Sequence, residues 1–247
     1  MTDTANQRYA HSGTPEDLFN AVLHMHVKDG SVNYAALRND PGLREYCDIL
    51  SQTGPQFIAD PKAQLAFWIN VYNAYTLKVI CDEQPVRSIS ELHAGGLVVG
   101  TLLQKTVWDK QIIAIKGTKY SLNEIEHKIL RRIYKEPRIH FALVCGARGC
   151  PVLRTEAYTA ALLDNQLTDQ AKRFMTDNLK NSIDANKKEL TLSKIFDWYR
   201  EDFGGDDVKL LLYLARFLPP DSAQSIIADP GAWSIRYREY DWTLNKQ

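Results

Sequence analysis

The sequence predicts an α+β fold: a mainly helical single domain around one buried central helix, with a small antiparallel sheet. Three observations carry that expectation. Residues 64–80 are apolar on nearly every side of a helical projection, which suits a helix wrapped by other elements, with 65–80 as its buried part. Several short alternating segments are punctuated by Gly and Asn turns, the pattern of small hairpins. Across 247 residues there is no internal repeat, low-complexity tract or linker-like break. The chain therefore reads as a flexible N-terminal arm over 1–13 and one domain over 14–247.

Composition excludes some partners. Lys+Arg and Asp+Glu number 30 each, so no charge excess draws the chain to nucleic acid or to an anionic membrane. No run approaches the roughly 20 apolar residues that span a bilayer. Met1 to Ser12 lacks the apolar core of a secretory signal, leaving a cytoplasmic protein or the mature part of an exported one. Four cysteines are too few for a disulfide scaffold.

Taken in order, Thr14 with Asp17 caps a first helix whose stripe is Leu18, Val22, Leu23 and Val27. Asp29-Gly30 ends it and opens a turn, with His24 and His26 expected as surface residues at the helix end. Inside the central helix, Asn70 and Asn73 share a face. Each amide buried without a partner would cost on the order of 1–3 kcal/mol, so each either clamps a neighbouring loop or orients a catalytic side chain. Residues 86–103 read as loop with Gly95-Gly96, and 108–120 as a hairpin turning at Lys116-Gly117. Ser121 and Glu124 form a capping box for a helix over 122–134 whose apolar face is Ile125, Ile129 and Ile133. A long helix over 155–178, a hairpin around 186–188, a helix capped by Ser193 and stopped by Gly204-Gly205, a helix over 209–217 closed by Pro219-Pro220, and a strand over 235–242 complete the chain.

The chemistry concentrates between His140 and Pro151. An apolar run with the composition of a buried strand, Ile139 to Val144, leads into a loop with two glycines, Arg148 and two of the four cysteines, Cys145 and Cys150. A thiol becomes nucleophilic as thiolate, which needs a histidine, a cation or a helix N-terminus nearby. On a strand, His140 would face away from Cys145, so His127 on the preceding helix is the expected base. Glu126 is adjacent to His127, about 100° away around a helix, so both cannot aim at one atom. Cys150, ahead of Pro151, is a rival nucleophile. The Cys145–Cys150 spacing is wider than a zinc knuckle and lacks a second tight pair, so no metal is expected. A disulfide between the two would be structural or would mask the nucleophile. Backbone N–H groups of Gly146 to Cys150 are candidates for an oxyanion site. Asp197, Arg200, Glu201 and Asp202 read as a solvated helix face, with Arg148 or Arg154 as an alternative partner for Asp202.

Several blocks resemble the DUF547 family: Phe67-Trp68-Ile69-Asn70-Val71-Tyr72-Asn73-Ala74, Ser121 to His127, His140 to Cys145 with Cys150-Pro151, Phe196 to Tyr199 with Asp202-Phe203, and Tyr240-Asp241-Trp242 with Leu244-Asn245. They run from about residue 27 to the C-terminus, which favours one domain. The resemblance implies bacterial members that are often exported and plant members joined to other modules. It also implies Glu-His and Cys positions that suggest a papain-like thiol hydrolase, with a Glu-His-Cys or Asn-His-Cys arrangement.

The function expected is a thiol-dependent hydrolase or acyltransferase acting on an amide or peptide-type bond of a small molecule or peptide, with no cofactor. Its expected site is Cys145, Cys150, His127, His140, Glu126, Asn70 and Asn73, with Arg148, Gly146 and Gly149 contacting substrate. The alternative is a non-catalytic binding or scaffold domain with structural or paired cysteines.

Overall fold

A computed structural model describes residues 13–85, 87–92 and 106–247. Most of the arm over 1–13 and the Gly95-Gly96 loop fall outside these. The first helix, α1 (Pro15–His26), carries the Thr14–Asp17 capping box that the sequence predicts. A two-residue hairpin, β1 (Val27–Lys28) and β2 (Ser31–Val32), follows through Asp29-Gly30. After the single turn α2 (Tyr34–Leu37) comes α3 (Pro41–Gln52), then the long α4 (Pro61–Glu83). Every residue of α4 from Leu65 to Leu77 is buried, as an all-round apolar helix requires.

Around α4 pack α1, α3, the hairpin β3 (Ile113–Ile115) and β4 (Thr118–Tyr120), and the segment that follows it. That segment starts with the Ser121–Glu124 capping box and the short turn α5 (Leu122–Glu124). It then continues as a π-helix over Ile125–Tyr134. The wider i→i+5 winding changes the buried face. Ile125 and Leu130, five apart, are fully buried, while Ile133 is 63% exposed. The four-residue spacing predicted Ile133 inside; the winding turns it out.

A second core forms from α6 (Leu163–Met175), β5 (Ser182–Asp184), β6 (Glu189–Ser193), α7 (Ile195–Trp198), α8 (Asp207–Ala215), α9 (Pro220–Ala228) and β7 (Ser234–Arg238). β5 pairs antiparallel with β6, while β7 joins β6 in parallel, so this sheet is mixed. The long helix begins at Leu163, not at 155, because 155–162 is irregular backbone. Pro220 does not close a helix; it opens α9 at a first-turn position, where its missing N–H costs nothing.

The apolar run before Cys145 is not a strand. Pro137–Phe141 is a 3-10 helix, Ala142 is a turn residue that ends it, and 143–145 lie outside any helix or sheet. The run is buried because it lies where the two cores meet: Ile139, Ala142, Leu143 and Val144 pack in the first, and Phe141 in the second among Phe174, Phe196 and Phe203. Among the described residues, no helix is long and apolar enough to cross a membrane.

Candidate functional site

The loop bearing Cys145 is positioned from α4. Asn73 donates from Nδ2 to the Ala142 carbonyl at 3.0 Å and accepts at Oδ1 from the Val144 N–H at 3.0 Å. Asn70 makes the same two-ended clamp on Tyr158, at 2.8 and 2.9 Å. Both amides are spent on backbone, which satisfies them and fixes two loops that no sheet supports. These bonds are the loop clamp that the sequence offers as one of two roles for each amide.

Cys145 and Cys150 are joined by a disulfide, with Cα atoms 6.4 Å apart. The Tyr240 hydroxyl donates to Cys150 Sγ at 3.0 Å and lies 3.5 Å from Cys145 Sγ. Burial first, then the Glu126 charge, pushes the Tyr240 phenol far above its ordinary value, so it remains a donor at neutral pH. Gly149 permits the approach: a Cβ there would meet the Tyr240 ring at 2.9 Å. The C-terminal residues hold the loop from outside. Arg148 N–H donates to Thr243, Gly149 N–H to Asp241, and the Gly146 carbonyl accepts from Asn245 N–H. Cys150 N–H is also bonded, to Ala147. Three of the expected oxyanion donors are therefore already committed. Gly146 adopts a φ of +89°, which explains a glycine at that position.

This loop is a wall between two hollows. Arg148 and Gly149 line a groove of about 370 Å³ on one side, together with Asp177 and Lys180. On the other side lies a cavity of about 770 Å³ that gathers Glu126, His127, His140, Cys145 and Cys150. Arg148 lines the groove, with Cys150 and Tyr240, and not the cavity. His140 and Cys145, which a strand would have put on opposite faces, share the cavity because the 3-10 turn removes the alternation.

His140 is buried and its Nε2 lies 2.6 Å from Asp202 Oδ2. Tyr199 stacks on the ring with centroids 4.0 Å apart. Arg131 adds a two-pronged contact to the same carboxylate, at 2.5 and 2.9 Å. Burial alone would raise the Asp202 pKa; the hydrogen bonds and charges of His140 and Arg131 outweigh it and hold the carboxyl well below the usual range. Because an ionised carboxylate only accepts, Nε2 carries a proton toward Asp202, and Nδ1 is the ring nitrogen that this bond leaves uncommitted. The partner of Asp202 is therefore neither Arg148 nor Arg154, which pairs with Glu156 and Asp169.

His127 is exposed, and its Nδ1 lies 2.9 Å from an Arg131 nitrogen. A guanidinium only donates, so it occupies the basic nitrogen of His127. Glu126 is buried, and its carboxylate accepts from the hydroxyl of Tyr72 at 3.2 Å and from that of Tyr199. Burial, followed by the Glu126 charge, pushes both phenols far up, so both remain donors. At the other histidine pair, His26 is not a surface residue; it is buried, 2.8 Å from Asp40. His24 is exposed as expected.

Sequence reasoning missed Asp202, Tyr199 and Tyr240 as site residues; they lie 54 to 100 residues from His140 and Cys145. Their only signal was their presence in the blocks that resemble the family. Among the described residues, no group of three or more His, Cys, Asp or Glu side chains could hold a metal ion.

Fold and site together define an α+β protein with a cysteine pair in the wall of an aromatic cavity, backed by a histidine–aspartate pair. The family model described as "Protein of unknown function, DUF547" matches residues 58–175, a little under half of the chain. The match spans α4, Glu126, both cavity histidines and both cysteines; it stops short of Asp202 and Tyr240. No curated protein and no solved structure matches the chain.

Proposed function

We propose that the chain is a thiol-dependent hydrolase or acyltransferase whose nucleophile is Cys145 once the disulfide is reduced. The observation that carries this reading is His140, buried, fixed by Asp202 at 2.6 Å, and facing the same cavity as Cys145. His140 replaces His127 as the base, because Arg131 occupies the basic nitrogen of His127. In the reaction, the Cys145 thiol gives its proton to His140 and the sulfur attacks an acyl carbon. The leaving group departs with that proton, and water or an acyl acceptor then releases the thioester. Tyr240, kept protonated, can turn its hydroxyl hydrogen from Cys150 Sγ toward the developing oxyanion, whereas the N–H groups of Arg148 to Cys150 are fixed on backbone carbonyls.

The test uses reduced protein and iodoacetamide near neutral pH, with labelled peptides identified by mass. Cys145 alkylates faster than an unactivated thiol, and His140→Asn slows it by about tenfold or more, in the range of general-base contributions. Inert Cys145 and Cys150 in the reduced, folded protein would sink the proposal. A second reading, a non-catalytic binding domain with paired cysteines, is favoured by the Cys145–Cys150 disulfide itself. It requires that Cys145→Ser leave ligand binding unchanged and that no acyl substrate turn over.

A further inference from the structure

The cavity beside Cys145 has a charge and ring content that select its guest. Glu126 is 7% exposed and lines the wall, yet among the described residues it has no ion pair; its partners are the neutral hydroxyls of Tyr72 and Tyr199. Asp109 is a second carboxylate in the lining, held by Thr106 and Asn123. Among the described residues no lysine or arginine lines the cavity, and Arg131, beside it, is taken by Asp202. An anionic guest would therefore meet the Glu126 carboxylate in a partly desolvated space, where Coulomb repulsion is poorly screened.

The rings supply the complement. Trp198, Tyr240 and Trp242 touch one another with centroids 4.9, 5.7 and 4.6 Å apart, and Trp108 joins Trp242 at 6.0 Å. Tyr199 is committed to His140 and to Arg131, which lies 4.9 Å from its centroid, so the guest's rings are the mutually packed Trp198, Tyr240 and Trp242. Aromatic faces attract a cation, and a buried carboxylate beside them adds a full opposite charge. A cavity of about 770 Å³ is large enough for a side chain or small amine joined to an acyl group.

We infer that this cavity binds an organic ammonium group, so that the substrate is an amide or ester carrying a protonated amine held between Glu126 and the Trp198, Trp242 and Tyr240 rings. As a statement about substrate this rests on the hydrolase reading. As a statement about binding it does not, and the measurement keeps the two apart.

Phenethylammonium, uncharged 2-phenylethanol and anionic 3-phenylpropionate are titrated into the full chain with its disulfide intact, following tryptophan fluorescence and heat. No thiol chemistry is involved, so inert cysteines leave the result readable, and a failed titration leaves the alkylation test readable. The ammonium binds about tenfold tighter than the alcohol, the anion binds weakest, and Glu126→Gln brings ammonium and alcohol to within about twofold. Trp198→Ala, a truncation at a residue 45% exposed and so tolerated by the fold, weakens the ammonium more than the alcohol. The inference is overturned by equal or tighter binding of the alcohol or the anion, or by no ammonium binding up to roughly 10 mM. It is equally overturned if the preference survives both variants.

Discussion

Replacing Asp202 by Asn tests the pairing behind the cavity most directly. The carboxylate accepts from His140 at 2.6 Å and from Arg131 at 2.5 and 2.9 Å. Asparagine keeps the volume but removes the charge and one acceptor oxygen, leaving a cation and a buried imidazole short of partners. Breaking a fully buried charged pair costs about 3–5 kcal/mol. Here the His140 side chain is 2% exposed but those of Asp202 and Arg131 are 23% and 25% exposed, so water recovers part of the loss. We expect a destabilisation of about 2–3 kcal/mol, which for a chain of this size lowers Tm by roughly 4–12 °C. Urea titration followed by tryptophan fluorescence measures it, with Asp197→Asn as the control. Asp197 pairs only with Lys194 at a half-exposed site, so its loss costs about 0.5 kcal/mol or less. The pH dependence carries a sign. The folded pKa of Asp202 is depressed, so its stabilisation is fully present above the unfolded value of about 3.9 and is lost as pH falls through the lower folded value. The difference between wild type and variant should therefore shrink in acid. A variant as stable as the Asp197 control, or a difference that grows in acid, refutes the reasoning.

Other consequences are as definite. Asn73→Ala strips both ends of the clamp, leaving the buried Ala142 carbonyl and Val144 N–H unpaired, and should cost about 2–4 kcal/mol by urea midpoint while loosening the Cys145 loop. Cys47 and Cys81 have thiols pushed up to about 12, by burial above all, so both should resist alkylation in reduced native protein and react once it is unfolded. Labelling of either buried thiol in the native state at neutral pH contradicts this. The π-winding is tested by Leu130→Ala against Ile133→Lys: about 2–4 kcal/mol lost for the first and within about 0.5 for the second, where a regular α-helix would bury Ile133.

What the sequence revealed was local. The central helix is legible because its apolar residues leave no polar face, and both capping boxes because their partners lie three residues apart. The buried asparagines advertise themselves, since such amides must be satisfied; which loops they clamp depends on packing across 69 to 88 residues. The run before Cys145 misleads because a short apolar stretch does not distinguish a strand from any other buried backbone. That misreading put His140 and Cys145 on opposite faces. His127 looks like a base until Arg131, one turn along, is seen at its ring nitrogen. Asp202 looks like part of a solvated face because nothing local shows that Gly204 ends its segment against His140.

The closing residues of the chain also set a schedule. Thr243 receives the Arg148 N–H, Asn245 bonds to Gly146 and to Tyr34, and Lys246 bridges to Val32, so the last turn of backbone stitches together segments from opposite ends of the sequence. Such contacts close very large loops and form late in folding. During synthesis, a nascent chain released as far as residue 175 would hold both cysteines but neither Asp202 nor Tyr240. The thiols would then wait in a half-built wall, open to whatever oxidant or disulfide they meet first. When the tail finally docks, it encloses whichever sulfur state that interval has left behind.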